Sequence, residues 1–271
     1  MVVFPNCKIN LGLHILRKRP DGFHDLATVF YPLHLHDGLE VIRQQNGEHT
    51  TLSVTGTKLD IDPSQNICVK AWQLLRDDFP GLPPVKMNLN KVIPTGAGLG
   101  GGSADGAFTL MLLNRKFHLQ LNDDQLARYA LELGSDCPFF IRNQPAYATG
   151  RGEIMEAVQT DLSAFRILLV HPGIHIGTAW AFSQVTPAEN RPDLRVMMAN
   201  DVSMWKGMLT NDFQQPVIAK YPEIGNVIDS MYEAGAVYAA MTGSGSAVFG
   251  LFTPDRAPAL SWPQHYFTRL I

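Results

Sequence analysis

Five of the seven residues from Gly96 to Gly102 are glycine, and a run of this composition could bind phosphate. It has almost no side chain to bury, and each ordered glycine loses more backbone freedom than any other residue. Alternation over residues 85–90 predicts a strand before the run, and the apolar stretch 103–114 predicts a helix after it, with Ser103 near the N-cap. Strand, glycine loop and helix start together direct bare N–H groups and a positive helix end toward an anion.

Three kinds of phosphate loop fit glycine runs in general. Gly96, Gly98 and Gly101 satisfy the dinucleotide fingerprint, but that motif expects an unbroken apolar strand before it and an acidic residue about 20 residues later, after a second strand. No Gly-Lys-Ser/Thr closes the run, which excludes a Walker A loop. A denser, tighter phosphate loop remains, with a flexible surface linker as the alternative that needs no function.

A second set of polar residues lies near the start of the sequence. In the predicted strand 6–14, Lys8, Asn10, Gly12 and His14 share one face, and apolar side chains share the other. A solvated face is the common case for an antiparallel strand. Lys8 and Asn10 beside the small Gly12 also suit a binding cleft, so both interpretations stay open.

The composition of the 271 residues limits the function. Hydrophobic residues make up 45% and charged residues 17%, which is typical of a globular chain with one large or two ordinary domains. The net charge is −3 and there is no basic block, which argues against a nucleic-acid partner. No segment has the pattern of a signal peptide or a membrane span, and the three cysteines have no paired spacing. We therefore expect free thiols in the cytoplasm and no zinc site.

Local signals divide the chain into further elements. We predict helices over residues 66–79, 122–134, 179–184 and 222–235, and strands over 28–36, 39–43, 166–172, 236–241 and 247–252. The stretch 242–246, Thr-Gly-Ser-Gly-Ser, is either a second small anion loop or an ordinary hairpin turn. A polar join near residue 160 predicts two domains, residues 1–160 and 161–271.

Five stretches, taken in order, resemble the GHMP kinases, the small-molecule kinases named after galactokinase, homoserine kinase, mevalonate kinase and phosphomevalonate kinase. They are residues 5–13, 21–24, 94–104, 134–138 and 242–246. The resemblance covers nearly the whole chain. It implies an α+β fold of two domains with the active-site cleft between them, and transfer of the ATP γ-phosphate to a hydroxyl of a small molecule.

The resemblance also implies roles for individual residues. Asp136 would accept the proton of the attacking hydroxyl, and Lys8 would lie beside it and offset charge on the transferred group. From the residues alone, a helix N-cap is the favoured interpretation of Asp136, and a solvated lysine is the alternative interpretation of Lys8. The implied ATP-binding residues are Pro94, Thr95, Gly96, Ala97, Gly98, Leu99, Gly100, Gly101, Gly102, Ser103 and Ala104. Mg²⁺ is implied as well, with Ser103 reaching a phosphate directly or through the metal, but no carboxylate cluster reveals other metal ligands.

Within the family, the chain is most similar to kinases whose substrate carries a cytidine diphosphate. That similarity implies that Asn10 contacts the reacting end of the substrate, that His24 reads the cytosine edge and that Phe23 stacks on the ring. Thr178 and Phe182 would complete the pocket. Departures from the family pattern include position 23, where the family has tyrosine, and Arg151, where relatives have a smaller apolar residue. The alternatives are a kinase of another alcohol, such as homoserine or mevalonate, or a nucleotide-binding module without catalysis.

Overall fold

The fold was analysed in a computed structural model that describes residues 1–44, 49–57, 62–256, 258 and 260–271. The chain forms two compact units, and each is assembled from several segments. Unit one contains residues 1–7, 32–95 and 100–144, and unit two contains residues 8–31, 96–99 and 145–271. The polar stretch 44–50, for which the sequence predicts a loop, lies mostly outside the described residues.

Unit one has a four-stranded sheet with four helices packed in the same unit. The strands, in the order β1-β4-β6-β5, are β1 (Val2–Val3), β4 (Gly38–Arg43), β6 (Val85–Lys91) and β5 (Thr51–Gly56). The helices are α1 (Ile67–Asp78), α2 (Gly101–Phe117), α3 (Asp123–Leu133) and α4 (Cys137–Arg142). Among the strand pairs described in this sheet, β5 and β6 are parallel and the others are antiparallel. Val85, Met87 and Leu89 are buried, as the alternating pattern predicts.

The loop between β6 and α2 is the glycine run. Helix α2 begins at Gly101, and its N-cap is Gly100, which is left-handed with φ 70° and makes no side-chain cap. The predicted cap at Ser103 is therefore wrong by one turn. Glycine occupies the N-cap position because a left-handed φ is strained for other residues. Ser103 lies inside the first turn, and its hydroxyl does not cap the helix.

Caps in the rest of unit one follow ordinary rules. Asn122 and Gln125 form a reciprocal capping box at the start of α3, where the sequence predicts a cap. Asp136 is the N-cap of α4 by position, but its side chain makes no capping hydrogen bond. The capping interpretation of Asp136 therefore describes its place in the chain and does not account for its carboxylate.

Unit two contains two further four-stranded sheets, both antiparallel where pairs are described. The first has the order β2-β3-β7-β8, with strands β2 (Asn6–Lys18), β3 (His24–His36), β7 (Ala146–Thr149) and β8 (Ile154–Ala157). The second has the order β10-β11-β9-β12, with strands β10 (Tyr238–Met241), β11 (Val248–Phe252), β9 (Arg166–His171) and β12 (Phe267–Leu270). Strands β2 and β3 each begin or end in unit one.

Four short or medium helices complete unit two: α5 (Thr178–Ser183), α6 (Leu194–Met198), α7 (Gln214–Lys220) and α8 (Pro222–Glu233). Helix α8 starts on proline, as predicted, and buries Ile224, Val227 and Met231. Those side chains join a core with apolar residues of β9, β10 and β11. The second glycine loop, residues 242–246, joins β10 to β11 and is therefore the turn of a hairpin.

The α+β class is confirmed, since helices and largely antiparallel sheets form both units. The predicted division at residue 160 is a single point along the chain, whereas each compact unit draws on several segments, so that division stays a prediction. Within the described part of the chain, none of the helices has the length and apolar character needed to cross a membrane.

Candidate functional site

The central part of the glycine run, residues 96–99, is held against the hairpin loop 242–246. The N–H of Ala247 donates to the carbonyl of Ala97 at 3.1 Å. A Cβ on Gly98 would lie 2.1 Å from the carbonyl oxygen of Thr242, and one on Gly243 would lie 2.9 Å from the Cα of Gly98. Two backbones meet here with no room for side chains, which contradicts a flexible linker. Both glycines also have positive φ, 79° and 56°.

Lys8 lies directly beside this loop. Its backbone N–H donates to the carbonyl of Leu99 at 2.9 Å, and its ammonium donates to Oδ1 of Asn10 at 2.7 Å. The same ammonium lies 4.8 Å from the centre of the Phe30 ring, which is within cation–π range. Only 3% of Lys8 is exposed, so the alternative of a solvated lysine is wrong. Burying an ammonium is costly, and such a cost is usually met at functional sites.

Asn10 is the hub of a buried polar network. Its Nδ2 donates to Oγ1 of Thr28 at 2.8 Å, and its backbone N–H donates to Oγ1 of Thr242 at 3.0 Å. The Thr242 hydroxyl lies 3.2 Å from Oδ1 of Asn10 and 3.3 Å from the carbonyl of Gly98. One threonine of the hairpin loop therefore ties the strand of Lys8 to the glycine run. The polar face predicted for β2 faces this network and is not solvated.

Asp136 stands in unit one, at the entry to α4, and is partly exposed. The next residue, Cys137, is buried, and burial raises the pKa of its thiol to about 12, although a hydrogen bond with Ser103 acts in the opposite direction. The Ser103 hydroxyl in the first turn of α2 is thus within reach of the residue that follows Asp136. This contact brings the helix start after the glycine run and the start of α4 together inside unit one.

A buried ion triad lies at the base of the glycine run. The ammonium of Lys91, the last residue of β6, contacts Oδ2 of Asp37 and lies 2.7 Å from Oδ2 of Asp105 in α2. The other oxygen of Asp37 accepts from the N–H groups of Val92 and Ile93. Burial raises the pKa of Asp105 to about 7; Lys91 opposes that shift and Asp37 adds to it. The triad joins the strand before the loop to the helix after it.

The residues expected to bind a pyrimidine all lie in unit two. They include two rings that each contact a neighbouring side chain, and the hydroxyl of Thr178. The ring of His24 stacks on Phe182, with 4.7 Å between centroids and 17° between planes. Burial, with a smaller contribution from Lys18, lowers the pKa of His24 and so favours the neutral ring. The guanidinium of Arg151 lies 3.9 Å from the centre of the Phe23 ring, which is half exposed.

Thr178, the remaining predicted substrate residue, is exposed at the start of α5. Its Oγ1 lies 3.4 Å from Oγ of Ser244 in the hairpin loop. Gly177 is the N-cap of α5, so Thr178 is the first residue of the helix. Its hydroxyl is turned toward the loop that packs on the glycine run.

Metal-binding chemistry is sparse in the described part of the chain, where no group of three or more His, Cys, Asp or Glu side chains could hold an ion. Mg²⁺ that accompanies ATP needs few protein ligands, because phosphate oxygens and waters supply most of its coordination. The Ser103 hydroxyl, in the first turn of α2, is a suitable single donor. The donor set therefore fits a metal carried by the nucleotide.

Three of the residues described here are absent from the sequence-based site: Thr28, Thr242 and Ser244. For Thr242 and Ser244, the signals were the family resemblance of residues 242–246 and their hydroxyl-rich composition, which an ordinary hairpin explains equally well. Thr28 had no signal, since it reads as one β-branched residue in a strand. The geometry shows that the hairpin also supports the glycine run.

These features, a glycine loop held between a strand and a helix and a buried lysine on the neighbouring strand, suit phosphoryl transfer. Comparison with known families agrees. The model "GHMP kinases N terminal domain" matches residues 66–144, and "GHMP kinases C terminal" matches residues 191–261. The chain belongs to the GHMP kinases, and it is an ATP-dependent kinase of a small molecule.

Two relatives that match nearly the whole chain carry the same name. A protein of Bacteroides fragilis named 4-diphosphocytidyl-2-C-methyl-D-erythritol kinase is 48% identical over 94% of this chain and 93% of its own length. A protein of the same name from Bacteroides thetaiotaomicron is 44% identical over 98% of both chains.

Solved structures of GHMP kinases share this fold. A crystal structure of 4-(cytidine 5'-diphospho)-2C-methyl-D-erythritol kinase has a TM-score of 0.79 and 31% identity, covering 95% of this chain and 92% of that one. A mevalonate kinase structure has a TM-score of 0.72 at 14% identity, covering 94% of this chain and 92% of that one, and so is similar in fold alone.

Proposed function

We propose that this protein phosphorylates a hydroxyl of 4-diphosphocytidyl-2-C-methyl-D-erythritol with ATP, giving the 2-phosphate, a step of non-mevalonate isoprenoid precursor synthesis. The observation that carries the proposal is the 44–48% identity with proteins of that name, which extends over nearly the whole of both chains. The buried Lys8 beside the glycine run supports it. The two predicted domains, 1–160 and 161–271, would each contribute to the reaction.

In the proposed mechanism, residues 94–104 bind the ATP phosphates through backbone N–H groups and the N-terminus of α2. Asp136 accepts the proton of the attacking hydroxyl as its oxygen bonds to the γ-phosphorus. The bond from the γ-phosphorus to its bridging oxygen breaks, and ADP leaves with that electron pair. Lys8 offsets the charge on the transferred phosphoryl group and holds Asp136 ionised. Mg²⁺, with Ser103 as a protein donor, would neutralise phosphate charge.

For the substrate base, the proposal uses the contacts of unit two. His24 presents ring nitrogens to the cytosine edge while Phe182 supports its face. Phe23 offers an aromatic surface to the base, and Arg151 on its ring supplies a guanidinium near the diphosphate. Thr178 completes the contacts to the base, whereas Asn10 contacts the reacting end of the substrate. This pocket distinguishes a cytidine substrate from homoserine or mevalonate, which carry no base.

A turnover assay with ATP and Mg²⁺ tests the proposal. We expect ADP release with 4-diphosphocytidyl-2-C-methyl-D-erythritol, a product whose mass increases by one phosphoryl group, and rates at least about a hundredfold lower with homoserine or mevalonate. The Asp136→Asn variant should bind ATP normally and lose nearly all turnover. A wild-type rate that is higher with homoserine or mevalonate than with the cytidyl compound would refute the proposed substrate. A near-normal rate for Asp136→Asn would refute the role of that carboxylate.

A further inference from the structure

Thr28 on β3 is fully buried and bridges two groups of the neighbouring strand β2. Its hydroxyl donates to the carbonyl of Gly12 at 2.6 Å and accepts from Nδ2 of Asn10 at 2.8 Å. A hydroxyl has one proton to donate. Because that proton is directed to Gly12, the lone pairs of Thr28 face Asn10, and only the amino group of the Asn10 amide fits there.

The orientation of the Asn10 amide decides which of its atoms faces the Lys8 ammonium. An ammonium can only donate, so the atom of Asn10 that faces it must be the carbonyl oxygen, as the 2.7 Å contact requires. If the amide turned over, its NH₂ would face the ammonium and its oxygen would face Thr28. The Thr28 hydroxyl therefore selects the one amide orientation that gives Lys8 an acceptor.

We propose that Thr28 is a positioning residue of the kinase, which acts through Asn10 to set the direction of the Lys8 ammonium. The inference rests on the proposed role of Lys8 in charge stabilisation. One of the three N–H groups of the Lys8 ammonium donates to Asn10, and this hydrogen bond restricts the directions in which the other two N–H groups point. Thr28 touches neither nucleotide nor substrate in this scheme, so its effect falls on the chemical step.

A purely structural role predicts something different. Loss of the buried hydroxyl removes the hydrogen bonds that Thr28 makes with the Gly12 carbonyl and with Nδ2 of Asn10, which lowers stability in any protein. A structural threonine would therefore change the melting temperature and leave the rate per folded molecule intact. Thr109 in α2 provides the matched case, because it is equally buried and its hydroxyl donates at 2.7 Å to the carbonyl of Asp105.

The experiment compares kcat and KM of Thr28→Val, Thr28→Ser and Thr109→Val with the wild type, on folded protein confirmed by circular dichroism. Valine keeps the shape of threonine and removes the hydroxyl, whereas serine keeps the hydroxyl. We expect Thr28→Val to lower kcat by about 10- to 100-fold, with KM for ATP within about threefold. Thr28→Ser should stay within about threefold of wild-type kcat, and Thr109→Val should match the wild type.

Each other outcome counts against the proposal. Wild-type kcat for Thr28→Val would overturn it, as would equal losses in the serine and valine variants. If Thr28→Val does not fold, the kcat ratio of Thr28→Ser to Thr28→Ala decides in its place, and a ratio near one overturns the proposal. A wild-type protein with no turnover on the cytidyl substrate would instead refute the proposed function, which keeps the two failures distinct.

Discussion

Lys8 and Lys91 are almost equally buried, with 3% and 2% of their surface exposed, yet different groups hold them. Lys91 stands between the carboxylates of Asp37 and Asp105. The groups described around Lys8 are the amide oxygen of Asn10 and the ring of Phe30. Both lysines lie beside the glycine run, one at its base and one along its centre.

The difference follows from electrostatics. Carboxylates offset the desolvation of an ammonium and also cancel its field, so a lysine held in this way fixes structure. Burial alone would lower the pKa of Lys91, but the two carboxylates outweigh it and the pKa is raised. An amide dipole and an aromatic face stabilise an ammonium without cancelling its charge. In the proposed mechanism, the Lys8 ammonium offsets charge on the transferred phosphoryl group.

The largest expected effect is that of Lys8→Met on the reaction. Methionine fills similar space without the charge, so kcat should fall by about a thousandfold or more. The melting temperature should fall less than in Lys91→Met, where two buried carboxylates lose the cation between them. Calorimetry and turnover on the same preparation test this. If Lys8→Met keeps its activity or does not fold, Lys8 has a structural role like that of Lys91.

Lys91→Met should show the opposite pattern. It leaves two buried carboxylates without their cation, and breaking a buried ion pair on one side costs about 3–5 kcal/mol. We expect a large drop in the urea midpoint and poor yield of folded protein. Any folded fraction should retain kcat better than Lys8→Met does. Equal stability of Lys91→Met and wild type would show that the triad does not hold the loop.

A smaller effect concerns pH. The pKa of Asp105 is raised from 3.8 to about 7, mainly by burial, so between these values the folded state binds more protons than the unfolded state. The contribution of Asp105 to the free energy of unfolding is therefore greatest below about pH 4 and declines as pH rises to about 7. Asp105→Asn lacks this titration. The stability difference, wild type minus variant, should decline across that range by about 1 kcal/mol or more.

Urea unfolding of both proteins at a series of pH values measures this difference, because the other titrating groups cancel between them. A difference that rises with pH would mean that Asp105 is held as an ordinary ionised partner of Lys91. A flat difference would mean that its pKa is close to that of an exposed carboxyl.

The smallest effect is expected for Phe30→Leu, which removes the ring under the Lys8 ammonium and keeps an apolar side chain. A cation–π contact contributes about 0.5–2 kcal/mol, so kcat should fall by only several-fold. Phe30→Tyr, which keeps an aromatic face, is the matched control. If both variants have wild-type kcat, the Phe30 ring does not help to hold the charge of Lys8.

Short-range signals in the sequence were enough for much of this fold. The glycine run lies between a strand and a helix as predicted, and the Asn122–Gln125 capping box and the proline at the start of α8 were readable because their partners lie within one turn. Helices α6 and α7 and strands β5 and β12 were missed. They are short, and packing determines them more than local pattern does.

The support of the candidate site was not readable in the same way. Asn10 bonds to Thr28, 18 residues away, and to Thr242, 232 residues away, and Lys91 bonds to Asp37, 54 residues away. No periodicity records such contacts, since each partner is an ordinary residue in its own segment. The roles of Lys8, Asp136 and the cytosine-binding residues stay predictions that depend on the resemblance.

The three cysteines have a practical consequence. Cys7, Cys68 and Cys137 are fully buried, and burial raises the pKa of Cys68 and Cys137 to about 12. The thiolate is the reactive form, so maleimide dyes should not label the cysteines of the native protein. Glu132→Cys in α3 and Asp229→Cys in α8 would then accept a fluorophore pair at exposed positions, one in each compact unit, with every natural thiol left in place. Energy transfer between those dyes, recorded as ATP is added, would report directly on motion during the catalytic cycle.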